Sequence, residues 1–196
     1  MSVIRSTLDT NSEVYQTATS TMNTKLAEIE VEHAKALAGG GEKYTERHHK
    51  RGSSWHASGS SFCSIRIHRF SNCAPRCVGS DFPVGASTVV GIGVVEGVEC
   101  LIVANDPTVR GGTSNPWTLR KGFRANDIAM QNRLPVISLV ESGGADLPTQ
   151  KEVFIPGGRM FRDLTQLSAA GIPTIALVFG NSTAAARTSR ACPTTS

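Results

Sequence analysis

Two consecutive glycines inside Ser142-Gly143-Gly144-Ala145-Asp146 follow an apolar run, LPVISLV, that has the character of a buried strand. Glycines there permit positive φ and leave backbone N–H groups uncovered, so Gly143, Gly144 and Ala145 are candidate donors to a developing oxyanion. A thioester enolate is stabilised by donors of that kind. The competing reading is a tight turn that needs glycine only for its geometry. Gly111 and Gly112 in NDPTVRGGTSNPW repeat the pattern ahead of a helix, whose N-terminus attracts anions. Arg110 beside them either reinforces that attraction or is an ordinary exposed loop arginine.

A second apolar phrase, PTIALVFGNSTA, runs from Pro173 into a small-residue turn that ends in Thr183 and Ala184, two further candidates for the same pocket. In KYTERHHKRG, the residues Arg47, Lys50 and Arg51 are placed to meet phosphates or a carboxylate; their ordinary reading is a solvated helix face. Glu141, Asp146 and Glu152 have no obvious basic partner by sequence and read as turn and surface residues. Cys63, Cys73 and Cys77 with His56 and His68 suggest zinc, yet only Cys73 and Cys77 have a ligand-pair spacing, so no metal is expected.

The elements that must position these groups follow from periodicity. Met22, Leu26, Ile29 and His33 recur at helical spacing between Glu13 and Ala38, ahead of three glycines, and predict an amphipathic leading helix. STVVGIGVVEG and VECLIVAND predict a β-hairpin. NPWTLRKGFRANDIAMQNR predicts a helix with Pro116 in its first turn. The strand LPVISLV, a loop containing IPGG, the helix RMFRDLTQLSAAG and the strand IPTIALVFG complete the order. Helices between successive strands indicate an α/β fold with parallel strands, and such folds bind ligands at the carboxyl ends of their strands.

Composition agrees with one globular domain: 196 residues, 39% hydrophobic and 18% charged. A net charge of +4 with scattered basic residues calls for no nucleic-acid partner. No apolar run reaches the roughly 20 residues of a membrane helix, and the amino terminus lacks a secretory core, so a cytoplasmic protein with reduced thiols is expected. The stretch Ser53 to Cys77 stands apart, rich in Ser and Cys with no regular period.

Taken together, KYTERHHKRG, the run from Gly79 to Lys121, RLPVISLVESGGADLPTQKEVFIPGGRMF and SAAGIPTIALVFGNSTA resemble the amino-terminal part of acyl-CoA carboxylase β subunits. These are the biotin-dependent carboxyltransferases of the propionyl-CoA and methylcrotonyl-CoA carboxylase family. The resemblance implies a crotonase-like fold of repeated ββα units, here an incomplete amino-terminal carboxyltransferase domain. It implies carboxyl transfer from carboxybiotin, on a separate carrier, to the α-carbon of a coenzyme A thioester. It further implies a biotin carboxylase and carrier α subunit and other β subunits as partners, with no nucleic acid or membrane. Gly143 and Gly144 then belong to the acyl-CoA pocket, and Arg47, Lys50 and Arg51 lie near coenzyme A. SGGADLP leans towards the methylcrotonyl-CoA side.

Two stretches depart from the resemblance. With suitable codons, a one-base shift turns Ser53 to Cys73 into KLLARERIELLLDPDSPFLEL and Ala185 to Ser196 into GGAYVPGMSDYF, both strings of the family's type. The expected organisation is a leading helix and basic segment at 1–52, a frame-shifted segment at 53–78, a partial carboxyltransferase domain at 79–184 and a frame-shifted tail at 185–196. The glycines lost after Ala184 belong to the family's oxyanion turn, so a truncated and inactive carboxyltransferase is expected. Two alternatives are a non-catalytic remnant that joins intact β subunits and a crotonase-type hydratase or isomerase with a positioned carboxylate. The coding DNA is expected to yield both strings in a shifted frame; a sequence that cannot encode them contradicts the frame-shift reading.

Overall fold

The computed structural model describes residues 6, 8–50, 82 and 85–183; Arg51, Ala184 and the segments 53–78 and 185–196 lie outside the described residues. The chain order is α1 (Glu13–Leu37), α2 (Glu42–Lys50), β1 (Thr88–Val95), β2 (Val98–Asn105), α3 (Pro116–Asn132), β3 (Val136–Ser142), α4 (Gln150–Ala169) and β4 (Thr174–Ser182). The four strands form one sheet in sequence order. β1 and β2 make the predicted hairpin, antiparallel with Val95 opposite Val98. Its two-residue turn places Glu96 at φ 48° and Gly97 at φ 81°, the left-handed pair that suits the twist of the flanking strands. β2, β3 and β4 run parallel, joined through α3 and α4.

Alternation along the strands separates two apolar faces. Val90, Leu101 and Val136 point towards the helices and pack with Ala125 and Ala129 of α3 and Leu167 of α4, with Leu134 and Ile172 closing the cluster. Cys100, Ile102, Ala104, Ile137 and Leu139 occupy the opposite face and are also buried. Both faces are therefore buried, which explains the unbroken apolar runs of β2 and β3. Burial pushes the Cys100 thiol up, so it stays neutral at ordinary pH.

Local chemistry sets the helix ends. Asn115, fully buried, caps α3 by accepting the N–H groups of Trp117 and Thr118 at 3.0 Å each, and Pro116 fills the first turn as predicted. Arg133, at φ 53°, ends the helix in the left-handed conformation. Lys121 is buried on the inner side of α3 and donates through Nζ to the Thr88 carbonyl at 2.7 Å and the Gly85 carbonyl at 3.3 Å. It thereby fastens the helix to the start of β1.

Two sequence expectations change. The IPGG stretch, expected as a loop before a shorter helix, lies inside α4, which spans Gln150–Ala169 with Pro156 in its interior. The missing N–H of an interior proline costs about 3 kcal/mol. Tertiary anchoring on both sides of the proline offsets it: Val153 is buried ahead of it, Leu167 and Asp163 beyond it. Arg159 adds a link to α3, donating to Asp127 at 2.6 Å and lying 3.4 Å from Asp163. Its hydrogen bond to Asp127 raises the guanidinium pKa further above its ordinary value. The second change concerns α1. The helix forms where predicted, but Met22, Leu26 and Ile29 are exposed rather than packed, so its apolar stripe covers no described core.

Candidate active site

The loops after β2 and β3 leave the same end of the sheet, because those strands are parallel. Gly111 and Gly112 lie in one loop, Gly143 and Gly144 in the other. The two interlock through main-chain bonds: the Gly143 N–H donates to the Gly111 carbonyl at 2.9 Å, and the Ser114 N–H to the Gly144 carbonyl at 2.7 Å. The Asp146 N–H returns to the Ser114 carbonyl at 2.9 Å. Ser142 adds a side-chain clasp, its buried hydroxyl donating to the Gly112 carbonyl at 2.7 Å and accepting the Gly144 N–H at 3.1 Å. Thr183, at the end of β4, donates its N–H to the Ser142 carbonyl at 3.3 Å.

Glycine is required at Gly112 for two reasons. The residue has φ 67°, and an added Cβ would overlap the Glu141 carbonyl oxygen. Gly111 shares the left-handed conformation at φ 66° but faces open space. Gly144 at φ 99° lies beside Thr183, whose Cβ would stand 3.4 Å from a Cβ placed on it. The predicted residues Gly111, Gly112, Gly143, Gly144, Ala145 and Thr183 are thus brought together at one end of the sheet.

This arrangement distinguishes the candidate donors. The Gly143 and Gly144 amides are engaged within the interlock, whereas the Ala145 N–H has no partner among the described residues. Ser114 brackets Ala145 in a parallel bridge. In that geometry the bracketed residue turns its own N–H and carbonyl to the other edge, here the side of β4 and Thr183. Ala145 as a residue is exposed.

The basic helix α2 reaches this end through its leading turn. The Gly40 N–H donates to Thr108 Oγ1 at 3.0 Å, and Asp106 holds Thr108 by accepting its N–H at 2.9 Å. Thr108 belongs to the loop that carries Gly111 and Gly112. Arg47 and Lys50 are exposed, and Lys50 lies 4.0 Å from Glu46 on the helix surface. His48, between them, is buried with its Nε2 lacking a partner among the described residues.

Two features escaped the sequence. In sequence Ser142 is only the first residue of a glycine turn, although a small hydroxyl directly ahead of two glycines is the signal of a side chain that fastens a turn. Asp146 has no basic partner within reach of its local sequence, but it is buried and lies 3.4 Å from Arg110. Thirty-six residues separate the two, beyond any local pattern. Glu152 is exposed in the first turn of α4, where its charge suits the helix N-terminus. Among the described residues no three His, Cys, Asp or Glu side chains are grouped to hold a metal ion, and no helix is long and apolar enough to cross a membrane. The cysteine and histidine cluster of 53–77 lies outside the described residues.

The carboxyl transferase domain family matches residues 54–194, most of the chain, and the chain belongs to that family. A probable biotin-dependent acyl-coenzyme A carboxylase β2 subunit of Mycobacterium tuberculosis is 66% identical over 183 residues, covering 93% of this chain and 35% of the relative. A probable mitochondrial methylcrotonoyl-CoA carboxylase β chain of Drosophila melanogaster is 38% identical over 93% of this chain and 33% of its own length. Among solved structures, the geranyl-CoA carboxylase β subunit of P. aeruginosa superposes with a TM-score of 0.72 at 32% identity, over 93% of this chain and 35% of that one. The chain therefore spans about a third of the length of these relatives. Its sheet and helices form part of a crotonase-like carboxyltransferase domain, as the resemblance implied.

The interlock gives a paired test. Gly112→Ala is expected to lower the unfolding free energy by about 2–3 kcal/mol and Gly111→Ala by about 1 kcal/mol, since both are left-handed but only the first is crowded. Urea denaturation measures both; equal losses would contradict the close seating of Gly112.

Proposed function

We propose that the chain forms the acyl-CoA wall of a biotin-dependent acyl-CoA carboxyltransferase, with the Ala145 N–H as donor to the thioester oxygen. The observation that carries this reading is the division of labour among three adjacent amides. Gly143 and Gly144 are committed to the interlock, and Ala145 is left exposed without a partner among the described residues. The family match supports the reaction class.

In that reaction carboxybiotin, carried by a separate protein, supplies the carboxyl group to the α-carbon of the thioester. Carbon–carbon bond formation there requires enolate character, and negative charge gathers on the thioester oxygen. A fixed N–H donor at that oxygen is worth about 3–4 kcal/mol in the transition state. The bonds that hold Gly144 and Asp146 to Ser114 fix the Ala145 amide in advance, so little reorganisation is needed as charge develops. Arg47 and Lys50 on α2 would meet the phosphates of coenzyme A, with Thr183 lining the thioester side and Gly111 and Gly112 the floor; Arg51 and Ala184, expected in the same roles from the sequence, lie outside the described residues.

The same proposal includes a biotin carboxylase and carrier α subunit and further β subunits as partners, a cytoplasmic location and no metal. Methylcrotonyl-CoA is the favoured substrate, from the SGGADLP phrase. The segments 53–78 and 185–196 are frame-shifted in this reading, and carboxyl transfer itself needs residues beyond the described wall. A second reading is an interaction remnant that joins intact β subunits. It is favoured by the exposed apolar side chains of α4, where Phe154 and Ile155 are 79% and 83% exposed.

Titration of the purified chain with methylcrotonyl-CoA and propionyl-CoA, followed calorimetrically, separates the two. Saturable binding of both, tighter for methylcrotonyl-CoA, is expected of the acyl-CoA wall. No saturable binding, together with co-purification of a full-length β subunit, would replace it with the interaction remnant.

A further inference from the structure

We infer that Arg110 is a positioning residue that sets the Ala145 amide by holding Asp146, rather than an anion ligand; this rests on the acyl-CoA reading of the turn. Asp146 directly follows Ala145. Its carboxylate is only 9% exposed and accepts the Thr149 hydroxyl at 2.8 Å, while Arg110 Nη1 approaches its two oxygens at 3.4 and 3.5 Å. Arg110 comes from the other loop, immediately before Gly111. The pair thus ties the two glycine turns together from outside, alongside the main-chain bonds between them.

Three further observations point the same way. Arg110 adopts φ 47°, a left-handed conformation unusual for a residue with a side chain, so the loop holds it against its own preference. Its guanidinium lies over the Phe82 ring with 4.9 Å to the centroid, which uses the planar face and leaves the edge for Asp146. The Ala145 N–H sits between two fixed points, the Gly144 carbonyl and the Asp146 N–H, both bonded to Ser114. Asp146 is the one of these whose side chain also receives a charge. Separations of 3.4–3.5 Å are long for a charge-assisted hydrogen bond. The pair is therefore an electrostatic tether, and charge at both ends matters more than bond geometry.

The test is a double-mutant cycle of Arg110→Gln and Asp146→Asn, with Arg110→Lys as the conservative variant, read by amide exchange across 142–146 and by methylcrotonyl-CoA affinity. Each single variant is expected to speed exchange of the Gly144 and Asp146 amides by about tenfold and weaken affinity several-fold, with exchange in α3 unchanged. The double variant should be no worse than either single one, because both remove the same tether. Arg110→Lys should recover part of both effects by keeping the charge. Additive losses would overturn the proposal. So would a fall in affinity for Arg110→Gln alone with exchange unaltered, the signature of a direct phosphate contact. If the parent chain binds no acyl-CoA, the acyl-CoA reading fails. The exchange cycle then decides separately whether Arg110 holds the turn: coupled exchange keeps the tether and uncoupled exchange removes it.

Discussion

The close seating of Gly112 on the Glu141 carbonyl is the constraint from which the site follows. Two loops that leave adjacent parallel strands would ordinarily diverge, each with side chains to keep them apart. Here one loop presents bare backbone at the contact, and the other answers with a serine hydroxyl and two glycines. The resulting bonds use the amides that a glycine turn would otherwise offer to a ligand. What remains unpartnered among the described residues is the next amide along, that of Ala145. That free amide is a product of the interlock rather than of glycine itself.

The rest of the molecule holds that contact in place. The helical layer anchors the loops at their far ends: Asn115 starts α3 immediately after Ser114, and Lys121 binds the helix to the start of β1. Arg159 then ties α4 to α3 through Asp127. Asp127 and Asp163 on this layer are both met by Arg159, which limits the penalty of burying Asp163. The sheet contributes by being parallel at β2, β3 and β4, which delivers three loop ends to one side.

Much of this was legible in the residues because it depends on local pattern. The hairpin follows from β-branched runs around Glu96-Gly97, and α3 from Asn115-Pro116 at its start. The family resemblance rests on ordered motifs along most of the chain. The gathering of the glycine turns and Thr183 was likewise readable, since helices alternating with strands place loops at the carboxyl ends. The extent of α4 was not, because Pro-Gly-Gly reads as a break and only tertiary anchoring by Val153 and Leu167 overrides it. Nor was the Arg110–Asp146 pair, whose members are distant in sequence. Most instructive is the assignment of donors. Three adjacent amides are equivalent in sequence, and only the cross-loop bonds show that two are committed.

Residue-resolved amide exchange on the chain, without ligand and then with methylcrotonyl-CoA, tests that division most directly. Gly143 and Gly144 should be protected from the outset, and Ala145 should exchange freely until the thioester is added, then slow. Equal exchange at all three amides without ligand, or an Ala145 amide that ignores a bound thioester, would contradict it.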